Sequence, residues 1–155
     1  MYKAIIIGGT GATGKQLLNQ LLKNQNCEHI TSIARRHVLK NIKHDKLVDI
    51  NIESLSDLSS TEEIWKGHDV FFNCIGTTRK RAGSAEEFIR VESKISNEAA
   101  KMASSANIYH ASLISAKGAN HKKWAKNWIH PLLYLRTMGE KEQTILSNFS
   151  FNHVS

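Results

Sequence analysis

The chain is poor in cysteine and proline and has no long apolar run. Two cysteines in 155 residues, Cys27 and Cys74, fit a reducing compartment rather than a disulfide framework. Their spacing makes no metal site, and both read as small, partly buried hydrophobes. No stretch approaches the roughly 18 apolar residues of a membrane-spanning helix. The short apolar run near the N-terminus, "MYKAIIIGGTG", feeds directly into glycines, so it reads as a strand and not as a signal peptide. These absences point to an intracellular, cytoplasmic protein.

Acidic residues are also outnumbered. Lys and Arg total 21 against 14 Asp and Glu, a net charge of +7. That balance suits an anionic ligand or nucleic acid. The basic residues are scattered, however, in "KNIKHDK" (40–46), "RKR" (79–81) and "HKKWAK" (121–126). None alternates with aromatics as a base-stacking platform would. A solvated basic surface is expected, with nucleic-acid binding a minor alternative. An apolar fraction of 41% and a charged fraction of 23% are those of one folded domain over residues 1–155.

The hydrophobic pattern alternates strands with helices. Strands are expected at 2–7, 29–36, 46–52, 68–76 and 107–115, with a sixth begun at 149–155. Helices are expected at 14–26, 59–67, 84–106 and 131–148, the last with the sole proline, Pro131, in its first turn. Such alternation predicts an α/β fold, a Rossmann-type doubly wound parallel sheet of order 3-2-1-4-5. Residues 116–130 form a long irregular segment, unusual unless functional or mobile. Trp124 and Trp128 within it can line a pocket or pack the loop down, and packing is the preferred reading.

The run from Gly8 to Gly14, with Thr10, Gly11, Ala12 and Thr13 between, lies directly after a strand and opens a helix. Glycines in that context let the backbone turn tightly and approach a pyrophosphate, which the helix N-terminus then binds. An NAD site carries an acid at the end of the second strand to hold the ribose hydroxyls. Arg35 and Arg36 stand there instead, 21 and 22 residues after Gly14. Their guanidinium groups match a 2′-phosphate, so NADP(H) is the expected cofactor. Asp49, near the end of the third strand, can bond the adenine amino group or cap a turn. Ile75 and Gly76, ending the fourth strand, would put backbone against the cofactor. Arg79 can meet a phosphate or a substrate anion, or do nothing. No metal site is expected.

Together the segments "GGTGATGKQLL", "TSIARR", "GHDVFFNCIGTTRKRAGSAEEFIRVE", "LISAKGAN" and "YLRTMGEKE" resemble the extended, or atypical, short-chain dehydrogenase/reductase superfamily. Within it they look like the Tat-interacting-protein family of oxidoreductase-like proteins, which has a fungal mitochondrial relative. The resemblance implies NADPH binding, a Rossmann fold and a nominal reductase activity. It also implies protein partners in transcription or nuclear transport and a part in apoptosis control. Superfamily members often form homodimers. By this resemblance Ser115 falls at the active-site Ser, and Tyr134 at the catalytic Tyr, which also borders the cofactor.

The Lys of the superfamily's Tyr-x-x-x-Lys pattern would stand at 138, where this chain has Met138. In the pattern the Lys charge eases proton loss from the Tyr, and its ammonium holds the nicotinamide ribose. Methionine does neither. Lys141, one turn further on, is expected not to substitute geometrically. Members of the family also continue into a C-terminal substrate-binding portion, so the chain reads as C-terminally truncated relative to them. The expected protein is therefore an NADP(H) binder with impaired catalysis that acts through partners. The alternative is an active NADPH-dependent reductase of small carbonyl compounds.

Overall fold

The computed structural model describes residues 1–39 and 43–155. The start of the basic run at 40–46, residues 40–42, lies outside the described residues. Strand β1 (Tyr2–Ile7) leads to helix α1 (Ala12–Lys23), then β2 (Cys27–Ala34) and β3 (Leu47–Asn51). A 3₁₀ turn (Ser59–Thr61) and short α2 (Glu62–Trp65) precede β4 (Val70–Asn73). The segment after β4 carries short α3 (Arg79–Ala82) and α4 (Ala85–Ile89), a π-helical stretch (Arg90–Ile95), and α5 (Ser96–Ser105). β5 (His110–Leu113), long α6 (His130–Asn148) and β6 (His153–Val154) complete the chain.

The six strands form one parallel sheet in the order β3-β2-β1-β4-β5-β6. The expected order of five strands is present, and the two residues of β6 extend it. The register alternates side chains between the two faces. Ile5, Ile7 and Phe71 point into a core closed by Trp65 of α2, Ala99 and Ala103 of α5, and Ile145 of α6. Ala4, Ile6 and Val70 point the other way, against Leu18 and Leu21 of α1. Burial on both faces explains why β1 reads as a continuous apolar run rather than an alternating one. Each fully buried Ile contributes about 1.5–3 kcal/mol.

The helix expected at 84–106 is interrupted. Ser84 caps α4, its side chain accepting from the Glu87 N–H, but the helix widens at Arg90–Ile95. Phe88, before the wide turns, packs with Ala85 and Leu133 in a small separate cluster. Ile95, at their end, joins the main core. Single π insertions of this kind are rare and frequently lie at functional sites. No described helix is long and apolar enough to cross a membrane.

Residues 116–129 run along α6. The Asn120 N–H donates to the Leu135 carbonyl (2.9 Å), and a Cβ on Gly139 would lie 2.3 Å from the His121 nitrogen. Only a glycine lets the loop cross there. The expectation that Trp124 and Trp128 pack this loop down is not met. They are 64% and 76% exposed, and the Lys126 ammonium stands over both rings at 5.6 and 5.8 Å. Ala125 turns inward instead, onto the Phe88 cluster.

Candidate functional site

The glycine loop is shaped by close contact. Gly8 has φ of +83°, and a Cβ there would stand 2.5 Å from the Cys74 carbonyl carbon. A Cβ on Gly14 would stand 2.3 Å from the Gly8 oxygen. The loop is thereby pressed between the end of β4 and the first turn of α1. The Gly11 N–H donates to the Gly8 carbonyl (3.0 Å). Gly11 is also the N-cap of α1 and offers no side chain to its first turn. That turn's free N–H groups and the positive end of the helix dipole are left for an anion.

Outside the carboxyl ends of β1, β2, β3 and β4 lies a cleft of about 460 Å³, at the switch point where such sheets bind ligands. Gly8, Thr10 and Gly11 form one wall. Arg35 and Arg36, both exposed, stand at the end of β2. Ile75, Gly76 and Thr77 make the floor beyond β4. Of the expected loop residues, Ala12, Thr13 and Gly14 do not line this cleft. Ala12 and Gly14 belong to the first turn of α1 behind it, and Thr13 opens onto a separate groove with Phe72 and Ser112.

Asp49 lies away from the cleft. Strand alternation turns it to the face opposite Ile50, where its carboxylate accepts from the Val38 N–H and meets His37 Nδ1, both at 3.0 Å. The chain reaches the cleft only beyond the strand, at Glu53, Ser54, Leu55 and Ser56. Arg79 does not line it either, whereas Arg81 and Arg90 do. Arg90 forks onto Glu87 through Nε (2.7 Å) and Nη2 (2.6 Å) and also donates to Ser56 Oγ across the cleft. Arg90, and more weakly Arg35, hold the Glu87 carboxyl below its usual range. The cleft rim thus carries four guanidinium groups against two carboxylates, those of Glu53 and Glu87, the latter already paired.

The two residues expected to act on a substrate lie outside this cleft. The Ser115 hydroxyl, beyond β5, donates to the Glu142 carboxylate of α6. Tyr134 packs beside Phe88 and His130, with ring centroids at 6.1 and 6.2 Å. Met138 is buried.

Lys141 is fully buried. Its ammonium donates to the Ile75 carbonyl (3.1 Å) and stands 3.6 Å from Glu92 Oε2. Burial lowers its pKa, partly opposed by Glu92. Sequence reasoning missed this role, although the signal was present. Lys141 and Glu92 each lie on the apolar stripe of a helix, and two opposite charges so placed point to a buried pair.

A parallel sheet of this order, with a glycine loop at the β1–α1 turn and an arginine-rich rim after β2, defines a dinucleotide-binding Rossmann domain. Known proteins agree. Residues 8–148 match a family described as NAD(P)H-binding, and the chain belongs to that family. It is 31% identical over 140 residues to rat Protein HTATIP2, covering 90% of this chain and 54% of that protein. It is 33% identical over 144 residues to the mitochondrial Protein FMP52 of Debaryomyces hansenii, covering 93% and 60%. These relatives support the atypical short-chain dehydrogenase/reductase, Tat-interacting-protein branch. The chain spans little more than half of their length. By structure it resembles the oxidoreductase YlbE of Lactococcus lactis, with a TM-score of 0.76 at 16% identity, over 98% of this chain and 67% of that one. It likewise resembles Bordetella bronchiseptica WbmG in complex with NAD and UDP, with a TM-score of 0.73 at 20% identity, over 98% and 51%.

Proposed function

We propose that this chain binds NADP(H) in the cleft above the glycine loop, and that its reductase chemistry is impaired, so that it acts by binding rather than by turnover. The residues present fit the cofactor. Gly8, Thr10 and Gly11, at the positive end of the α1 dipole, would take the pyrophosphate, and Arg35 and Arg36 the 2′-phosphate. Ile75 and Gly76 would face the nicotinamide half. Bound there, the cofactor would supply a hydride.

The observation that carries the loss of turnover is Met138. It is buried one turn after Tyr134 and presents a thioether where an ammonium would assist the tyrosine's proton transfer. Ser115, engaged by Glu142, adds to the impairment. Action through protein partners in transcription, nuclear import or apoptosis control, in the cytoplasm or nucleus, is the part of this proposal drawn from the resemblance.

Titration of the purified chain with NADPH and NADH, followed by fluorescence and melting temperature, tests the binding. A preference for NADPH is expected, and no shift with either would sink the reading. NADPH oxidation against a panel of small carbonyl compounds tests the impairment. Turnover by the unaltered chain would show that Tyr134 works without its lysine.

A further inference from the structure

Two buried charges lie directly beneath the cleft floor. The Thr77 N–H donates to Glu92 Oε1 at 2.6 Å, and a Cβ on Gly76 would lie 3.5 Å from that same oxygen. Lys141 Nζ donates to the Ile75 carbonyl at 3.1 Å and stands 3.6 Å from the other Glu92 oxygen. The two side chains therefore hold the peptide units on either side of Gly76, one by its N–H and one by its carbonyl. Each comes from a different element: Glu92 from the π-helical stretch, Lys141 from α6.

Burying both charges is costly, and an apolar pair of similar volume is often as stable or more so. Stability alone therefore gives no reason for the pair. Its position gives one. Gly76 has no side chain to fix its backbone, and the floor it belongs to leaves the sheet after β4 without strand pairing.

We propose that Glu92 and Lys141 form a clamp that holds Ile75–Gly76–Thr77 in the conformation that accepts the dinucleotide, which makes Lys141 a positioning residue for the cofactor. The proposal rests on the dinucleotide reading above. Lys141 does not replace the missing lysine at Tyr134. It stands two helical turns from that residue and acts on the floor from below.

The test compares the unaltered chain with the double variant Glu92→Leu/Lys141→Met, which removes both side-chain hydrogen bonds to the floor. NADPH dissociation constants are measured well below both melting temperatures. The double variant is expected to melt near the unaltered chain, because the pair is replaced rather than broken, and to bind NADPH about tenfold more weakly.

A second measurement needs no variant. The groups facing the Lys141 ammonium are the Glu92 carboxylate from the π-helical stretch and the Cys74 thiol just beyond β4. Burial lowers the lysine pKa, so NADPH affinity of the unaltered chain should fall on the alkaline side at a pH below the ordinary lysine range. The double variant should show no such step. Equal affinity in the two proteins with flat pH profiles would overturn the clamp while leaving the cofactor reading intact. Absence of any dinucleotide binding by the unaltered chain would overturn both.

Discussion

The Ser115 hydroxyl donates its hydrogen bond to the Glu142 carboxylate, joining the end of β5 to the middle of α6. A serine so engaged cannot also present its hydrogen to a substrate carbonyl. It is expected to act as a structural tie. Ser115→Ala should lower stability by about 1 kcal/mol, the usual cost of such a bond, and leave NADPH affinity unchanged. Thermal melts and a fluorescence titration read the two quantities. Loss of cofactor binding in this variant would show that Ser115 reaches the cleft.

Met138→Lys is the simplest attempt to restore the reductase pattern. The position is 3% exposed, so the new ammonium would have to be taken out of water. A loss of roughly 2–4 kcal/mol is expected, visible as a lower melting temperature. NADPH oxidation should stay absent while Ser115 remains tied to Glu142. Turnover in this single variant would mean that the tie opens when a substrate arrives.

The features legible in the sequence were those set by local chemistry. The glycine loop, the apolar run of β1 and the two arginines after β2 each carry their signal within a few residues, and the structure brings the loop and the arginines to one cleft while β1 is buried on both faces beneath it. What escaped depended on tertiary contacts. The place of Asp49 along its strand points toward the cleft, yet a strand turns alternate residues apart, and Asp49 faces the His37 loop. The helix at 84–106 looked continuous because a π insertion leaves no compositional mark. Trp124 and Trp128 read as packing the loop down, but Ala125 occupies the inward position between them. The spacing of Lys141 from Tyr134 carries no sign of the helix face that buries it against Glu92.

The glycines of the fold should respond very differently to substitution. Gly8 and Gly67 both have positive φ, +83° and +74°. A Cβ on Gly8 meets the backbone of Cys74 and Ile75, whereas one on Gly67 meets nothing within 4 Å. Gly67→Ala should cost only the left-handed strain, about 1–2 kcal/mol. Gly8→Ala adds a backbone clash that neither strand end can relieve, and should abolish both the cooperative melt and NADPH binding. Equal effects would show that the β1 and β4 ends separate more easily than their packing indicates.

The arginine rim makes a prediction about cofactor choice. If Arg35 takes the 2′-phosphate, Arg35→Ala removes a charge-assisted contact of roughly 1.5–3 kcal/mol. NADPH affinity should drop by about 10- to 100-fold, with little change for NADH, which lacks that phosphate. Arg90 offers a control, because its guanidinium is already committed to Glu87 and Ser56. Arg90→Ala should weaken both dinucleotides alike. Equal loss for the two cofactors in Arg35→Ala would place that side chain outside the phosphate site.

Cys74 links the cleft to alkaline stability. Burial pushes its thiol up from an ordinary 9.0 to about 11, with Lys141 partly opposing. Between those values the unfolded chain loses the thiol proton while the folded chain keeps it. The folded state then binds more protons, so stability falls as pH rises. The contribution is complete below about pH 9 and is lost by about pH 11. Lys141 works in the opposite sense, since its lowered pKa lets the folded chain shed a proton first and relieves part of its burial cost as pH rises. Cys74→Ala removes the thiol's share alone. Denaturant melts across pH 8 to about 11 should therefore show a shallower alkaline decline in the variant than in the unaltered chain. The same burial predicts slow alkylation of Cys74 in the folded protein at neutral pH, because the reactive thiolate is scarce and enclosed. Parallel alkaline slopes in the two proteins, or rapid alkylation of Cys74 without unfolding, would show that the thiol lies in a wetter place than beneath the glycine loop.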